Sequence, residues 1–117
     1  MIRHFAATIW LVPFSSIAFG AIAMDANTSM DRTSASTTIS TPAFSTNTGN
    51  ELLLGFVAAD YISGTNTTVK SISGAGLTWA LAARTNGQRG TSEIWRAFAT
   101  TALSNVTVTA TLSHRSP

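Results

Sequence analysis

The stretch NVTVTATLS, residues 105–113, alternates polar and apolar side chains at nearly every step. Successive side chains of a β-strand point to opposite faces, so this alternation predicts a strand with one dry face and one wet face. The dry face would carry Val106, Val108, Ala110 and Leu112. A second layer must cover that face, and the sequence therefore predicts stacked sheets.

The same pattern of strands and turns continues upstream. Runs of β-branched or aromatic residues alternate with clusters of Gly, Asn and Ser, which is typical of an antiparallel all-β chain. The predicted strands, about six, are residues 37–46, 51–60, 68–73, 77–85, 91–100 and 105–113. Residues 51–60 are apolar on both faces, and their flanking turns and short length favour a central strand covered on both sides over a helix.

Residues 86–90 form a short loop, so the strands on either side are expected to pair as a hairpin. If residues 85 and 91 face each other, Ala80 lies opposite Arg96 and Leu81 opposite Trp95. The other expected pairs are Trp79–Ala97, Leu77–Ala99, Ala82–Ile94 and Ala83–Glu93. Trp79 and Trp95 then share one face with Leu77 and Leu81, and we expect both indoles in the core.

The N-terminal 23 residues are typical of an export signal peptide. A basic start at Arg3 precedes an uncharged apolar run that ends in Ala-Ile-Ala at residues 21–23. This pattern predicts a helical signal that is cleaved between Ala23 and Met24. The alternative is an uncleaved anchor, because a membrane span needs about 20 apolar residues; Pro13 and the small-residue exit favour cleavage.

Residues 1–23 are therefore interpreted as the signal peptide, 24–36 as a flexible polar leader and 37–117 as one β-sandwich domain. The expected location is secreted or on the cell surface, with membrane contact only during export. Seven Lys and Arg, less Arg3, leave six cations against five Asp and Glu. Because these cations are scattered, the sequence excludes a nucleic-acid partner. The absence of cysteine excludes disulfides and thiolate metal sites.

Candidate catalytic groups are sparse. Ser/His/Asp chemistry needs a histidine, but His4 lies in the signal and His114 stands near the C-terminus, where fraying is expected. Glycoside hydrolysis needs two carboxylates about 5 to 9.5 Å apart. Glu51 and Asp60 bracket one strand and would lie about 30 Å apart. The sequence therefore predicts a protein that is not an enzyme and needs no cofactor.

Two further polar features are Glu93 and the loop at residues 60–66. Glu93 is expected at the rim of a sheet, paired with an arginine such as Arg84 or Arg89. Asp60 and Asn66 bracket a polar loop, but this loop lacks the dense acidic spacing of a calcium site, so no metal is predicted.

Four segments carry a resemblance to known proteins: NELLLGFVA at residues 50–58, GLTW at 76–79, EIWRA at 93–97 and VTVTA at 106–110. In this order and spacing they resemble a family of secreted bacterial β-sandwich modules, found alone or appended to cell-surface and polysaccharide-associated proteins. The resemblance implies a jelly-roll-like or immunoglobulin-like sandwich and brings no established activity or ligand. Six strands fall short of the usual seven to nine. The expectation is therefore an incomplete module, or an open edge strand that pairs with another copy.

The functional hypothesis is a secreted, non-catalytic module for surface association or carbohydrate binding. Its predicted contacts are Asp60, Tyr61 and Asn66 in the loop at 60–66, with Arg96 and Phe98 as a second patch. The expected partner is a glycan or another cell-surface component. The alternative is a structural spacer or assembly module that joins copies through an edge strand, and a fragment of a glycan-active enzyme ranks third.

Overall fold

Six strands and no helix form the regular structure of the residues that the computed structural model describes, namely 20–60, 66–87 and 89–117. The strands are β1 Ser36–Ser40, β2 Glu51–Ala59, β3 Val69–Gly74, β4 Ala80–Thr85, β5 Thr91–Ala99 and β6 Val108–Ser116. The predicted all-β class is confirmed, and each predicted strand has a counterpart. Of the predicted signal peptide, residues 1–19 lie outside the described residues. In the described part of the chain we find no helix long and apolar enough to cross a membrane.

The strands form two antiparallel three-stranded sheets, with the orders β1-β6-β3 and β2-β5-β4. Their facing sides supply the buried core in a sandwich-like arrangement. The core members are Val69, Ile72, Trp95, Val108, Ala110 and Leu112. Val108, Ala110 and Leu112 alternate along β6 with more exposed residues, which confirms three members of the predicted dry face. The fourth, Val106, is half-buried and lies before β6, in an isolated bridge with Phe44.

Strand β2 differs from its prediction. It was expected to be a central strand covered on both sides, but it is an edge strand of its sheet. Its side chains alternate between half-buried and exposed, and Leu52, Leu54 and Phe56 are exposed. The described chain has only two layers, so no described residue covers the side of β2 that faces away from the other sheet.

The β4–β5 hairpin confirms two pairs of the predicted register. Ala80 pairs with Arg96 and Leu81 with Trp95, as expected. A bulge at Ala82 shifts the pairs between it and the loop by one residue, so the predicted Ala82–Ile94 and Ala83–Glu93 pairs and the assumed pairing of residues 85 and 91 are wrong. Leu77 and Trp79 precede β4, so their predicted pairs with Ala99 and Ala97 are not part of this ladder. The observed pairs are Ala83–Ile94, Arg84–Glu93 and Thr85–Ser92.

Leu81 and the two indoles are the residues that test the predicted core of this hairpin. Leu81 is 40% exposed and is not a core residue; it lies on the edge strand β4, beside the bulge. Trp95 is buried, and Trp79, just before β4, packs half-buried against the core. A Cβ placed on Gly55 would lie within 4.0 Å of both indole side chains. The two tryptophans therefore share the inner face, as predicted.

Both ends of the described chain are held by side-chain contacts. The Asp25 carboxylate accepts hydrogen bonds from the Asn47 backbone N–H at 2.6 Å and from its side-chain amide at 2.7 Å. The predicted leader is thus attached to the turn before β2. At the other end His114 lies inside β6 rather than in a frayed tail, and the Ser116 hydroxyl donates to the Asp60 carbonyl at 2.6 Å.

Candidate functional site

The sheet β2-β5-β4 has an outer face, defined here as the side that points away from the other sheet. Antiparallel partners point to the same side, so the register identifies its members. They are Leu52, Leu54, Phe56 and Ala58 of β2, Ser92, Ile94, Arg96 and Phe98 of β5, and Ala80, Ala83 and Thr85 of β4. Most of this surface is apolar, although it is exposed.

Arg96 lies near the centre of the outer face and is its only charged residue. It stands on the central strand, with Leu54 opposite on one side and Ala80 on the other. The Arg96 side chain forms no ion pair or hydrogen bond with another described residue. Its guanidinium therefore offers all of its donors to a ligand, in the fork that suits a carboxylate.

Two phenylalanines flank Arg96 on the outer face. Phe98 is 56% exposed and lies opposite Leu52, and Phe56 is 72% exposed and lies opposite Ile94. The two rows are four residues apart along the strands, which is about 13 Å. The outer face thus presents two exposed rings on either side of a cation, on the flat support of a sheet.

The residues predicted to bind a ligand do not form one cluster. Arg96 and Phe98 lie together on the outer face, as the second predicted patch requires. Asp60 follows the last residue of β2, six positions beyond the Arg96–Leu54 row, or about 20 Å along the strand. Asn66 is exposed before β3, and Tyr61 lies outside the described residues.

An open depression with a volume of about 760 Å³ lies at the end of the sheet near Asp60. It is lined by residues 58–60, 85, 87 and 89–92. Ala58 and Ser92 belong both to this depression and to the outer face, so the two surfaces are continuous. Asp60 lines this depression, and this position is the feature of the structure that fits its predicted role as a contact residue.

Glu93 is the most consequential residue that the sequence placed incorrectly. It was expected at a sheet rim, but it is only 2% exposed and points between the sheets. The expected pairing with Arg84 is confirmed, with Nε and Oε1 2.8 Å apart. Arg89, the alternative arginine, does not take part in this ion pair.

The Glu93 carboxylate accepts five hydrogen bonds, and one crosses to the other sheet. Oε1 accepts from the Val69 N–H of β3 at 2.8 Å, from Arg84 Nε at 2.8 Å and from the Thr91 hydroxyl at 2.9 Å. Oε2 accepts from Arg84 Nη2 at 3.1 Å and from the Trp95 indole at 2.8 Å. Arg84 also donates to the Val69 carbonyl at 2.8 Å. A carboxylate saturated in this way has no lone pair left for a substrate proton.

The environment of Glu93 lowers its pKa. Burial alone raises the pKa of this carboxyl, but the hydrogen bonds from Arg84, the Val69 N–H, Trp95 and Thr91 together outweigh burial. The net pKa lies below its ordinary value of 4.5. Glu93 therefore stays ionised in the folded chain at pH values at which it binds a proton in the unfolded chain.

We expect the free energy of unfolding to fall as the pH is lowered below about 4.5. A carboxyl with a depressed folded pKa stabilises the fold above its unfolded pKa, and this contribution is lost as the pH falls through the folded pKa. Urea unfolding between about pH 6 and about pH 3 measures the effect. The Glu93→Gln variant should lose less stability over this range than the natural chain, and an equal loss in both would contradict the assignment.

The described residues offer no group of three His, Cys, Asp or Glu side chains that could hold a metal ion. Glu51 and Asp60 stand at opposite ends of β2, as expected. Ser113 and His114 share a hydrogen bond of 3.1 Å, but they are neighbours on an exposed part of β6, with no carboxylate joined to them in the described contacts.

Comparison of this chain with models of protein families, with curated proteins and with solved structures gave no match. The class that the geometry defines is a sandwich-like all-β chain with a buried carboxylate network and an exposed apolar sheet face.

Proposed function

We propose that this chain is an exported, non-catalytic β-sandwich module, of the jelly-roll-like or immunoglobulin-like kind, that attaches to a polysaccharide through the outer face of the sheet β2-β5-β4. The observation that supports the proposal best is the row of large exposed apolar side chains around the unpaired Arg96. The ligand class that suits this surface is a polysaccharide with carboxylate groups.

The amount of exposed apolar surface favours a binding role. Soluble monomers rarely expose contiguous apolar patches larger than a few hundred Å², and larger patches mark contact sites. On the outer face, Leu52, Leu54 and Phe56 follow one another along β2 and Phe98 lies opposite Leu52, so these exposed side chains form one continuous group. Covering them with a ligand removes this surface from water, which is favourable by about 25 cal/mol per Å².

The chemistry of the surface favours sugars. The C–H side of a sugar ring is apolar and packs on an aromatic ring, while its polar groups bond to neighbouring donors. Phe56 and Phe98 supply the rings, and Arg96 between them supplies the donors. An Arg–carboxylate pair is bidentate and strong, so a uronate residue is a better partner for Arg96 than a neutral sugar.

Three further features fit a module that binds without catalysis. The carboxylate nearest to the core, Glu93, is buried and saturated with hydrogen bonds. The outer face carries no acid or histidine. The N-terminal pattern of residues 1–23 is typical of an export signal, so an extracellular polysaccharide is within reach of the product.

Binding of the chain to uronate-rich and to neutral polysaccharides tests the proposal. We expect retention on the uronate polymer, and a loss of affinity of at least ~10-fold in Arg96→Gln, because the paired carboxylate loses its cation. The matched control is Lys70→Gln, which removes one exposed cation from β3 of the other sheet and should change the affinity less than about twofold. Affinity co-sedimentation and a glycan array are the measurements.

Two further variants locate the contact. Phe98→Ala should weaken binding as Arg96→Gln does, and Tyr61→Ala examines the predicted loop at residues 60–66. Binding that is lost only in Tyr61→Ala would move the site to that loop. An array with no bound glycan would remove the carbohydrate proposal altogether.

A further inference from the structure

The two sheets have four edge strands, and three of them are interrupted. The pairing of β1 with β6 shifts between Ser36 and Thr38, and that of β3 with β6 shifts between Val69 and Ser71. The pairing of β4 with β5 shifts at Ala82. Irregularities and short length are the devices by which proteins prevent an edge strand from pairing with another chain. Strands β1, β3 and β4 have both.

Strand β2 has neither protection. It is nine residues long, and its pairing with β5 is unbroken from Glu51 to Ala59. Between Leu52 and Ala59 it contains no charged residue and no proline. No backbone hydrogen bond from another described residue reaches its free edge. A long, regular, apolar edge strand is a template for a further strand.

We propose that β2 pairs with β2 of a second copy of this chain, antiparallel about a two-fold axis perpendicular to the sheet. The two three-stranded sheets then join into one continuous sheet. In such a pair, residues of the same parity lie opposite each other and point to the same side. Leu52, Leu54 and Phe56 of both copies therefore meet across the junction on a shared outer face.

Charge favours this arrangement over stacking two outer faces on each other. Stacking would bring the unpaired Arg96 of one copy towards that of the other without an acidic partner on either face. In the edge pair the two arginines stand on β5, so three strand spacings, about 14 Å, separate them. This exceeds the screening length of about 8 to 10 Å at physiological salt, so their repulsion is small.

Single cysteines provide a direct test, because the chain has none of its own. Cysteine is placed in turn at Leu52, Leu54, Phe56 and Ala58, all exposed on β2, in the chain as recovered after export. Directly opposite residues of an antiparallel pair are about 4.5 to 5.5 Å apart at Cα, within reach of a disulfide. Only the residue on the two-fold axis faces its own copy, so the four variants are oxidised singly and in equimolar mixtures of neighbours, such as Leu54→Cys with Phe56→Cys. We expect a disulfide-linked dimer under mild oxidation in one single variant if the axis passes through an even-numbered residue, or in one such mixture if it passes through an odd-numbered residue.

The matched control is Phe98→Cys, on the same outer face but on the central strand. It should not form the dimer. If all four β2 cysteines stay monomeric both singly and in the mixtures, or if Phe98→Cys links as readily as they do, pairing through β2 is overturned.

Sedimentation equilibrium provides the second measurement. The unmodified chain should approach twice the monomer mass as its concentration rises. Phe56→Lys, which places like charges near the two-fold axis, should raise the dissociation constant at least ~10-fold. Leu81→Lys, on the interrupted edge strand β4, should change it less than about twofold. A monomer at every concentration would overturn the proposal, and so would equal effects of the two lysine substitutions on the dissociation constant. A monomer that binds an extended peptide of another protein along β2 would overturn it as well.

Discussion

Replacing Glu93 by glutamine is expected to lower the free energy of unfolding by about 3 kcal/mol, because it leaves the Arg84 guanidinium without its carboxylate partner. Five hydrogen bonds converge on this side chain, and one of them comes from the Val69 N–H of the opposite sheet. Glutamine keeps the size of the side chain but offers one acceptor oxygen in place of two. Urea unfolding at neutral pH measures the loss.

The matched control for this substitution is Glu51→Gln, the same chemical change at the start of β2. Glu51 accepts a hydrogen bond from the Thr48 hydroxyl at 2.6 Å and is less buried than Glu93. Its substitution should cost less than about 1 kcal/mol. If both variants lose the same stability, the network of Glu93 is not what joins the sheets.

Removing Arg84 as well separates the ion pair from the other contacts. Arg84→Met leaves a buried carboxylate without its cation and should destabilise the fold, whereas Arg84→Met with Glu93→Gln should cost less than the sum of the single changes. A coupling of about 1 to 3 kcal/mol is typical of residues in direct contact. Strict additivity would contradict a direct pair.

The second large effect is expected at Gly74, the last residue of β3. Its φ is 125°, and an added Cβ would collide with the Thr107 carbonyl oxygen and approach Val108 Cα to 2.9 Å. These are backbone atoms next to the central strand β6, so they cannot yield as a flexible side chain would. Gly74→Ala should therefore lower the free energy of unfolding by more than about 2 kcal/mol.

Gly76 is the control within the same turn. Its φ of 66° is also in the left-handed region, but an added Cβ there would meet nothing within 4 Å. Gly76→Ala should cost about 1 kcal/mol, from the backbone conformation alone. Thermal unfolding of the two variants compares them. An effect of Gly74→Ala no larger than that of Gly76→Ala would show that β6 moves aside easily.

Alternation of side chains was sufficient to predict the strands. The dry residues of β6 and the shared face of Trp79 and Trp95 follow from the two-residue period, and the structure has both. The bulge at Ala82 carries no such signal, because an inserted residue in an alanine-rich strand changes neither composition nor hydropathy. The predicted register therefore held only up to the bulge.

The burial of Glu93 could have been predicted. Thr91, Glu93 and Trp95 are two residues apart, so they must share one face of a strand, and Trp95 had already been assigned to the core. The expectation of a rim position came from the charge of Glu93 alone. The two-residue period of the strand decides which face a charged side chain occupies when an arginine and backbone N–H groups can form hydrogen bonds with its carboxylate.

The exposure of β2 could not be predicted from its sequence. Apolar side chains on both faces are the pattern of a strand between two layers, and the same pattern describes a strand with one uncovered apolar face. Only the strand order distinguishes the two cases. For the same reason the patch of Arg96 and Phe98 was predicted as a pair, but its extension to Phe56 and Leu54 was not.

The strand order also has a consequence for when the molecule can assemble. The central strands of the two sheets, β5 and β6, are the last two strands of the described chain. The hydroxyl of Ser40 in β1, for example, shares a hydrogen bond with the hydroxyl of Thr109, which lies 69 residues later in the sequence. Only the β4–β5 hairpin can close between neighbours in sequence, and pairing of distant segments is slow. A polypeptide that passes through a narrow channel N-terminus first would therefore release its edge strands, β1 to β4, before the central strands β5 and β6 with which they pair. It would remain unfolded until β5 and β6 had also passed through the channel.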